Sequence, residues 1–359
     1  MDTLRLAVDP GRLKSPEAAR ALDRAAAILR DGGLVAFPTE TVYGLGANAL
    51  DAAAVGRIFA AKQRPAWDPV IVHIAAPPML ERLVSEVSEP AGLLMKAFWP
   101  GPLTLLLPRA EGVPAAVTAG RPLVGVRMPS HPVALELIGR AGVPVAAPSA
   151  NLFSRTSPTT AAHVLDDLDG RVDAVLDAGP ALQGVESTVL DVSQSPMRIY
   201  RPGAVTAEQI RAIAGAVELD REDGQARETP AEALPAPGVG LRHYAPRARL
   251  VLVDASAAEL GQKLAEAARA LDGTRVGVML PAGIDAEIGA PEGLRPAILF
   301  NWGRWDAPGT LAESLYAGLR WLDAQGCDVI LCPLPPEEGI GAAMRDRLRK
   351  GAREAGTGN

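Results

Sequence analysis

Along the chain, short apolar runs alternate with stretches whose apolar residues recur every three or four positions, the pattern of strands interleaved with amphipathic helices. Between about residues 10 and 215 the runs LVAFP (34–38), VIVHIA (70–75), LTLLL (103–107), LVGVR (123–127), VPVAA (143–147), DAVLDA (173–178) and STVLDV (187–192) predict strands. Helical spacing predicts helices around 16–30, 51–62, 91–98, 132–140, 161–167 and 206–214. Several strands follow one another without a helix between them, so a mixed sheet is expected. The alternation restarts with strands at 249–254, 275–280 and 328–333 and helices near 256–271, 308–324 and 340–350, which reads as a small open α/β sheet.

Between the two units lies ELDREDGQARETPAEAL (218–234), with six acids, two arginines and no apolar period, followed by PAPGVGLRHYAPRAR. This reads as a linker. The division expected is therefore 1–217, a linker over 218–248, and 249–359. No GxGxxG follows the first strand of the second unit and no Walker A pattern occurs anywhere, so P-loop phosphate binding is not expected.

Composition narrows the function classes. Lys and Arg total 36 against 42 Asp and Glu, a net charge of −6, and the first 217 residues carry 20 basic and 21 acidic side chains, which argues against a constitutive polyanion binder. Two cysteines, Cys327 and Cys332, and four histidines do not supply a zinc knuckle or a disulfide framework, so no metal held by the protein alone is expected. The N-terminus lacks a secretory pattern and no apolar segment approaches membrane-spanning length, so a soluble, cytoplasmic protein without membrane partners is expected. Lysine is used only five times, at 14, 62, 96, 263 and 350, which singles each of them out.

Candidate chemistry gathers in loops at strand ends. In PTETVYGLG (38–46), Thr39, Glu40, Thr41 and Tyr43 bring hydroxyls and a carboxylate, and Gly44 and Gly46 are expected to let backbone amides approach a ligand. AKQRPAWDPVIVHI (61–74) places Lys62 and Arg64 at a helix end, where they either cap the helix or offer a point charge and a planar fork to a polyphosphate. Thr104 sits inside an apolar strand, and His73 shares strand parity with Ile71. Arg127 ends another strand, and burial there demands an ion pair or a substrate carboxylate. PSANLFSRTSPTT (148–160) offers Ser149, Asn151, Ser154, Thr156, Ser157 and Thr159, while VESTVLD (185–191) and YRPGAV (200–205) offer Ser187, Thr188 and Arg201. Such groups suit nucleotide oxygens and also ordinary caps and turns. In FNWGRWD, Asn301, Trp302, Arg304 and Trp305 form either a contact surface or packing.

Taken together and in this order, PTETVYGLG, KQRPAWDP, VRMPSHP, PSAN, ESTVLD and YRPGA, spanning 38–205, resemble the YrdC-type threonylcarbamoyl-AMP synthase family. The extension with RHYAP (242–246) resembles that family's long, two-domain form. The resemblance implies a twisted mixed sheet with flanking helices and a ligand cleft, plus a smaller, Rossmann-like C-terminal α/β domain. It implies the conversion of L-threonine, bicarbonate and ATP to L-threonylcarbamoyl-AMP and pyrophosphate. Magnesium is expected to arrive with the ATP phosphates, and downstream tRNA threonylcarbamoyl-transferase proteins are expected to use the product, with weak or no direct tRNA binding.

Carried onto this sequence, the resemblance makes Lys62 and Arg64 the catalytic cations on the triphosphate and assigns Thr104, Ser149, Asn151, Ser157, Arg201 and Tyr244 to the nucleotide. Thr39, His73, Arg127 and Ser187 would surround threonine, and Tyr244 would act as part of a lid. Two departures stand out. Asp68 occupies a position where the family commonly has Asn, and the stretch after PSAN reads LFSRTSPT, so that Phe153, Ser154 and Thr156 replace a small residue, a Gly and a Pro. An RNA-binding module is disfavoured by the charge balance and by the lack of interleaved aromatic and basic residues. A carbamoyltransferase of the hydrogenase-maturation type would bring CxxC pairs and an acylphosphatase segment that this chain lacks.

Overall fold

The structure, a computed structural model, describes residues 2–220, 233–239, 243–271, 273–286 and 296–353. Most of the acidic stretch 218–234 and Arg242 of the RHYAP motif therefore lie outside the described residues. The chain divides into two compact units, one comprising 1–153, 157–182 and 186–241, the other 154–156, 183–185 and 242–359.

The first unit contains β1 (Leu4–Ala7), α1 (Pro16–Arg30), β2 (Val35–Phe37), β3 (Gly44–Asn48), α2 (Ala52–Lys62), β4 (Val72–His73) and α3 (Glu89–Phe98). It continues with β5 (Leu103–Pro108), α4 (Ala115–Thr118), β6 (Leu123–Arg127), α5 (Pro132–Ala141), β7 (Val145–Ala146), α6 (Ala161–Leu168) and β8 (Ala174–Asp177). It ends with β9 (Thr188–Asp191), β10 (Met197–Arg201), α7 (Ala207–Ala214) and β11 (Val217–Leu219). The strands form one mixed sheet in the order β1-β8-β2-β3-β7-β4-β6-β5-β9-β10-β11.

Helices start and stop where local chemistry dictates. The Ser15 side chain caps α1 with Pro16 at its first position, and the Asp51 carboxylate accepts the amides of Ala53 and Ala54 at the start of α2. Strand alternation then sorts side chains between two cores. Val35, Phe37, Ala174 and Leu176 pack against α1 and α5 on one face, while Ala36, Val72, Leu105 and Val126 join the larger core on the other.

Two strands sit where the sequence suggests loops. β3 pairs antiparallel with β2, Val35 opposite Gly46 and Phe37 opposite Gly44, so these glycines belong to the sheet rather than to a ligand-approaching loop. The physical reason is packing, because a Cβ on Gly46 would lie 2.8 Å from both the Phe37 ring and Val145. β10, which the sequence does not predict, takes the first two residues of the YRPGAV stretch, Tyr200 and Arg201, into the sheet and pairs with β9. Residues 233–239 pack on the first unit, with Ala236 and Val239 against Ile71, Leu106 and Val189.

The second unit contains β12 (Arg249–Val253), α8 (Ala257–Arg269), β13 (Val276–Ala282), β14 (Ile298–Arg304), α9 (Pro308–Ala324), β15 (Val329–Pro333) and α10 (Ile340–Ala352). Among the described residues its four strands are all parallel, in the order β12-β15-β13-β14. Of the two readings of FNWGRWD, packing accounts for Trp302, which is fully buried in β14 and donates its indole N–H to the Leu311 carbonyl at 2.8 Å.

Gly46→Ala is expected to destabilise the chain by about 1–3 kcal/mol through overpacking. Urea unfolding checks this, and adding Phe37→Leu should recover part of the loss.

Candidate functional site

The same alternation that builds the cores aims the polar residues. His73 and Ile71 share a face of the sheet, as do Thr104 and Leu106, and Ser187 and Val189, while the strand neighbours Val72, Leu105 and Leu190 enter the opposite core. Arg127 follows Gly125 onto this face, and register places it beside His73 across the parallel β4–β6 pair. Simple alternation would give Arg201 the parity of Ile199, which lies in the opposite core. A register shift between Ile199 and Arg201 brings Arg201 opposite Val189 instead, re-aiming its side chain to the polar face. Gly203 is required just beyond, since a Cβ there would lie 2.3 Å from the Thr188 amide nitrogen.

Four buried cations are held on this scaffold, each by named acceptors. Lys62, 1% exposed, ends α2 but does not cap it; its ammonium donates to the carbonyls of Ser149 at 2.6 Å and Asn151 at 2.5 Å. Gln63, with φ 54°, turns the chain out of α2, so that Arg64 donates to the carbonyls of Asp68 at 3.2 Å and Pro69 at 2.6 Å and pairs with the Asp68 carboxylate at 2.9 Å. Arg201 donates to the Ser187 carbonyl and hydroxyl, both at 3.1 Å. Arg127 donates to the Gly101 carbonyl at 3.2 Å and the Thr41 hydroxyl at 3.0 Å and meets Glu40 Oε1 at 2.7 Å.

Hydroxyls link these cations. Thr104 and Ser187 share a 2.8 Å hydrogen bond that continues to Arg201, and Thr39 and Thr41 share another of 2.8 Å that continues to Arg127. Ser157 donates to the Glu186 carboxylate at 2.6 Å. The site is thus a field of fixed positive charge with a hydroxyl rim, suited to an oxyanionic ligand.

Electrostatics differ from group to group. Burial pushes the His73 pKa down to about 3, with Arg127 acting in the same direction, so the ring is neutral near pH 7. Burial raises the Asp68 carboxyl above its ordinary value even against Arg64, Lys62 and Arg201. For Glu40, burial acts upward, yet Arg127 and the backbone amides of Glu40 and Ser130 bring the carboxyl below the usual range. Among the described residues no three His, Cys, Asp or Glu side chains converge as a metal site.

Of the residues singled out from sequence, Thr39, Lys62, Arg64, His73, Thr104, Arg127, Ser149, Asn151, Ser157, Ser187 and Arg201 all lie in the first unit. Tyr244 belongs to the second, where its ring stacks on Tyr316 at 6.1 Å and lies 5.2 Å from the Arg347 guanidinium. The sequence offers Glu40 and Thr41 as candidate ligand groups without assigning them to a substrate and does not single out Glu186; all three are buried. Their signal was a carboxylate or hydroxyl within a motif at a strand end. Ser154, in the altered stretch after PSAN, has φ 66°, a conformation that glycine adopts without steric cost. Phe153 packs edge-on against Trp67 at 6.0 Å.

Comparison with known proteins adds the relatives. Residues 27–203 match the Sua5, YciO and YrdC family described as telomere recombination, and residues 205–353 match the family described as threonylcarbamoyl-AMP synthase, C-terminal domain. The threonylcarbamoyl-AMP synthase of Pyrococcus abyssi is 43% identical over 329 residues, covering 91% of this chain and 92% of that protein. That of Bacillus subtilis is 43% identical over 330 residues, 92% of each. The crystal structure of P. abyssi Sua5 complexed with L-threonine superposes with a TM-score of 0.87 at 40% identity, over 98% of both chains.

Because the folded-state pKa of His73 lies below the unfolded value, the unfolded chain binds a proton that the folded chain refuses, and stability falls as pH drops from 6.5 towards 3. The expected slope from this group approaches about 1.4 kcal/mol per pH unit within that window. A His73→Asn variant should show a correspondingly flatter acid limb in urea titrations at stepped pH.

Proposed function

Since the chain belongs to the threonylcarbamoyl-AMP synthase family, we propose that it is a nucleotidyltransferase joining L-threonine, bicarbonate and ATP into L-threonylcarbamoyl-AMP with release of pyrophosphate. The observation that carries this reading is the set of four buried cations, Lys62, Arg64, Arg127 and Arg201, organised by one sheet and its adjoining loops. One cation suffices for a substrate carboxylate, whereas a triphosphate needs several.

In this reading Lys62 and Arg64 hold the triphosphate, and Thr104, Ser149, Asn151, Ser157 and Arg201 hold the rest of the nucleotide. Thr39, His73, Arg127 and Ser187 surround threonine, with the Arg127 guanidinium on its carboxylate. Neutral His73 lends hydrogen bonding without adding charge. The neutral threonine amine forms a C–N bond to carbon dioxide, releasing a proton to water, or to bicarbonate, releasing a water molecule, and becomes a carbamate. A carbamate oxygen then attacks the α-phosphorus, forming one P–O bond as the bond to the β-phosphate oxygen breaks, and the electron pair leaves with pyrophosphate. No protein nucleophile is required. The protein contributes positioning and charge stabilisation, both of which gain from cations already fixed by backbone acceptors.

Any magnesium is proposed to enter on the nucleotide phosphates, where it would neutralise charge. The product would pass to proteins that modify tRNA. The near-neutral charge of the first 217 residues supports weak or no direct tRNA binding. Among the described residues no helix is long and apolar enough to cross a membrane, and we place the reaction in the cytoplasm.

Pyrophosphate release tests the reading when threonine and bicarbonate are each omitted in turn. Release should require both and should prefer threonine to serine. Lys62→Ala is expected to lower turnover by roughly 10²–10³-fold, and Arg127→Ala to raise the KM for threonine far more than that for ATP. Asp68→Asn keeps an acceptor for Arg64 and removes a negative charge, so ATP should bind several-fold tighter. Release without threonine or bicarbonate would sink the proposal.

A further inference from the structure

In the structure Glu40 is a buried anion with unmet hydrogen-bonding capacity. It sits in the β2–β3 connection and is 5% exposed; the backbone amides of Glu40 and Ser130 lie close enough to hold its pKa down, yet neither carboxylate oxygen completes a hydrogen bond of good geometry among the described residues. Its contact with Arg127 at 2.7 Å is an ion pair whose alignment satisfies neither Oε1 nor Nη2 as a hydrogen bond. Buried carboxylates normally collect several donors, because leaving lone pairs dry is costly. A buried carboxylate whose neighbouring donors are poorly aligned, beside a well-anchored guanidinium, therefore marks a place for an incoming donor.

The identity of that donor follows from charge. Arg127 is anchored on two other sides, by the Gly101 carbonyl and the Thr41 hydroxyl, and a guanidinium has five N–H donors, so it retains capacity for a carboxylate. Glu40 and Arg127 together form a neutral dipole of touching opposite charges. An α-amino acid is also a neutral dipole, with ammonium and carboxylate on one carbon. Laid antiparallel, the two dipoles satisfy each other and bury no net charge.

We propose that Glu40 is a specificity-determining residue that binds the α-ammonium of the amino-acid substrate while Arg127 binds its carboxylate, so that the site selects zwitterions over simple carboxylic acids. This rests on the threonine reading above and adds to it a residue that the motif comparison left without a role. The carboxyl, held below the usual range, suits a permanent anion rather than a proton acceptor. Once the ammonium has released its proton to water and the freed amine has combined with bicarbonate, with loss of water, to give a carbamate, the positive charge is gone and a negative one has appeared. Glu40 then repels the new group, which favours its turning towards the cations of the nucleotide site.

The test compares two ligands on the full chain by calorimetry: L-threonine, and 2,3-dihydroxybutyrate, in which a hydroxyl replaces the ammonium. The unmodified chain should prefer threonine by about ten- to a hundredfold, the worth of a charged hydrogen bond. Glu40→Gln should lower that preference at least severalfold, and Glu40→Asp should restore part of it. If Glu40 only orients Arg127, Glu40→Gln will weaken both ligands equally and the preference will survive, which overturns the proposal. The unmodified chain alone also decides, since equal affinity for the two ligands contradicts ammonium recognition even if the variants fail to fold. A chain that binds neither ligand refutes the threonine reading itself, a different outcome from threonine binding without discrimination.

Discussion

A charged side chain removed from water must find acceptors, and this unit buries four cations within a single polar site. The cost of desolvating each ion is several kcal/mol and is offset only where geometry supplies partners. Here the partners are largely backbone carbonyls: those of Ser149 and Asn151 for Lys62, Asp68 and Pro69 for Arg64, Ser187 for Arg201 and Gly101 for Arg127. Carbonyls anchored by the sheet and its neighbouring loops cannot follow a side chain that moves. The cations are accordingly fixed in place before any ligand arrives, and the order of the sheet becomes a condition for the chemistry.

Much of the fold can be understood from that requirement. The β10 bulge exists at the point where alternation would otherwise turn Arg201 into the apolar core. Gly203 lets the following loop lie on the backbone of residues 186–188, so that Ser187 meets Arg201 through both its carbonyl and its hydroxyl. Residues 233–239 cover Ile71, Leu106 and Val189 on the polar face, and the Pro237 carbonyl lies 3.5 Å from Arg201. Two carboxylates, Glu40 and Asp68, offset part of the positive charge, each in contact with an arginine. With Glu186, which accepts from Ser157, the site holds four cations and three carboxylates, and it remains attractive to a polyanion while costing less to assemble than four cations alone.

The sequence made the apolar strands of both units readable because Val, Leu and Ile runs bounded by Pro and Gly have few alternatives. It made β3 and β10 hard to read. In β3 the run GLGAN has small residues because Phe37 of the preceding strand and Val145 of β7 fill the space, and Val145 is distant in sequence. In β10 the run MRIYR alternates only until the bulge breaks its period. Lys62 and Arg64 were legible as cations at a helix end, but their choice between capping and a ligand site depended on where residues 149–151 and 68–69 fold. Glu40 and Glu186 were visible as letters in their motifs, and burial alone reveals that each is a carboxylate kept dry.

The central claim is that fixed cations guide a threonine-derived carbamate onto the α-phosphorus of ATP. Carbon-13 NMR of the product formed from ATP, L-threonine and ¹³C-labelled bicarbonate examines that bond itself. The account predicts a carbamoyl carbon signal split by coupling to a single phosphorus through the bridging oxygen. An adenylate that forms on the threonine carboxylate without incorporating the label, or a labelled carbon with no coupling to phosphorus, would contradict it.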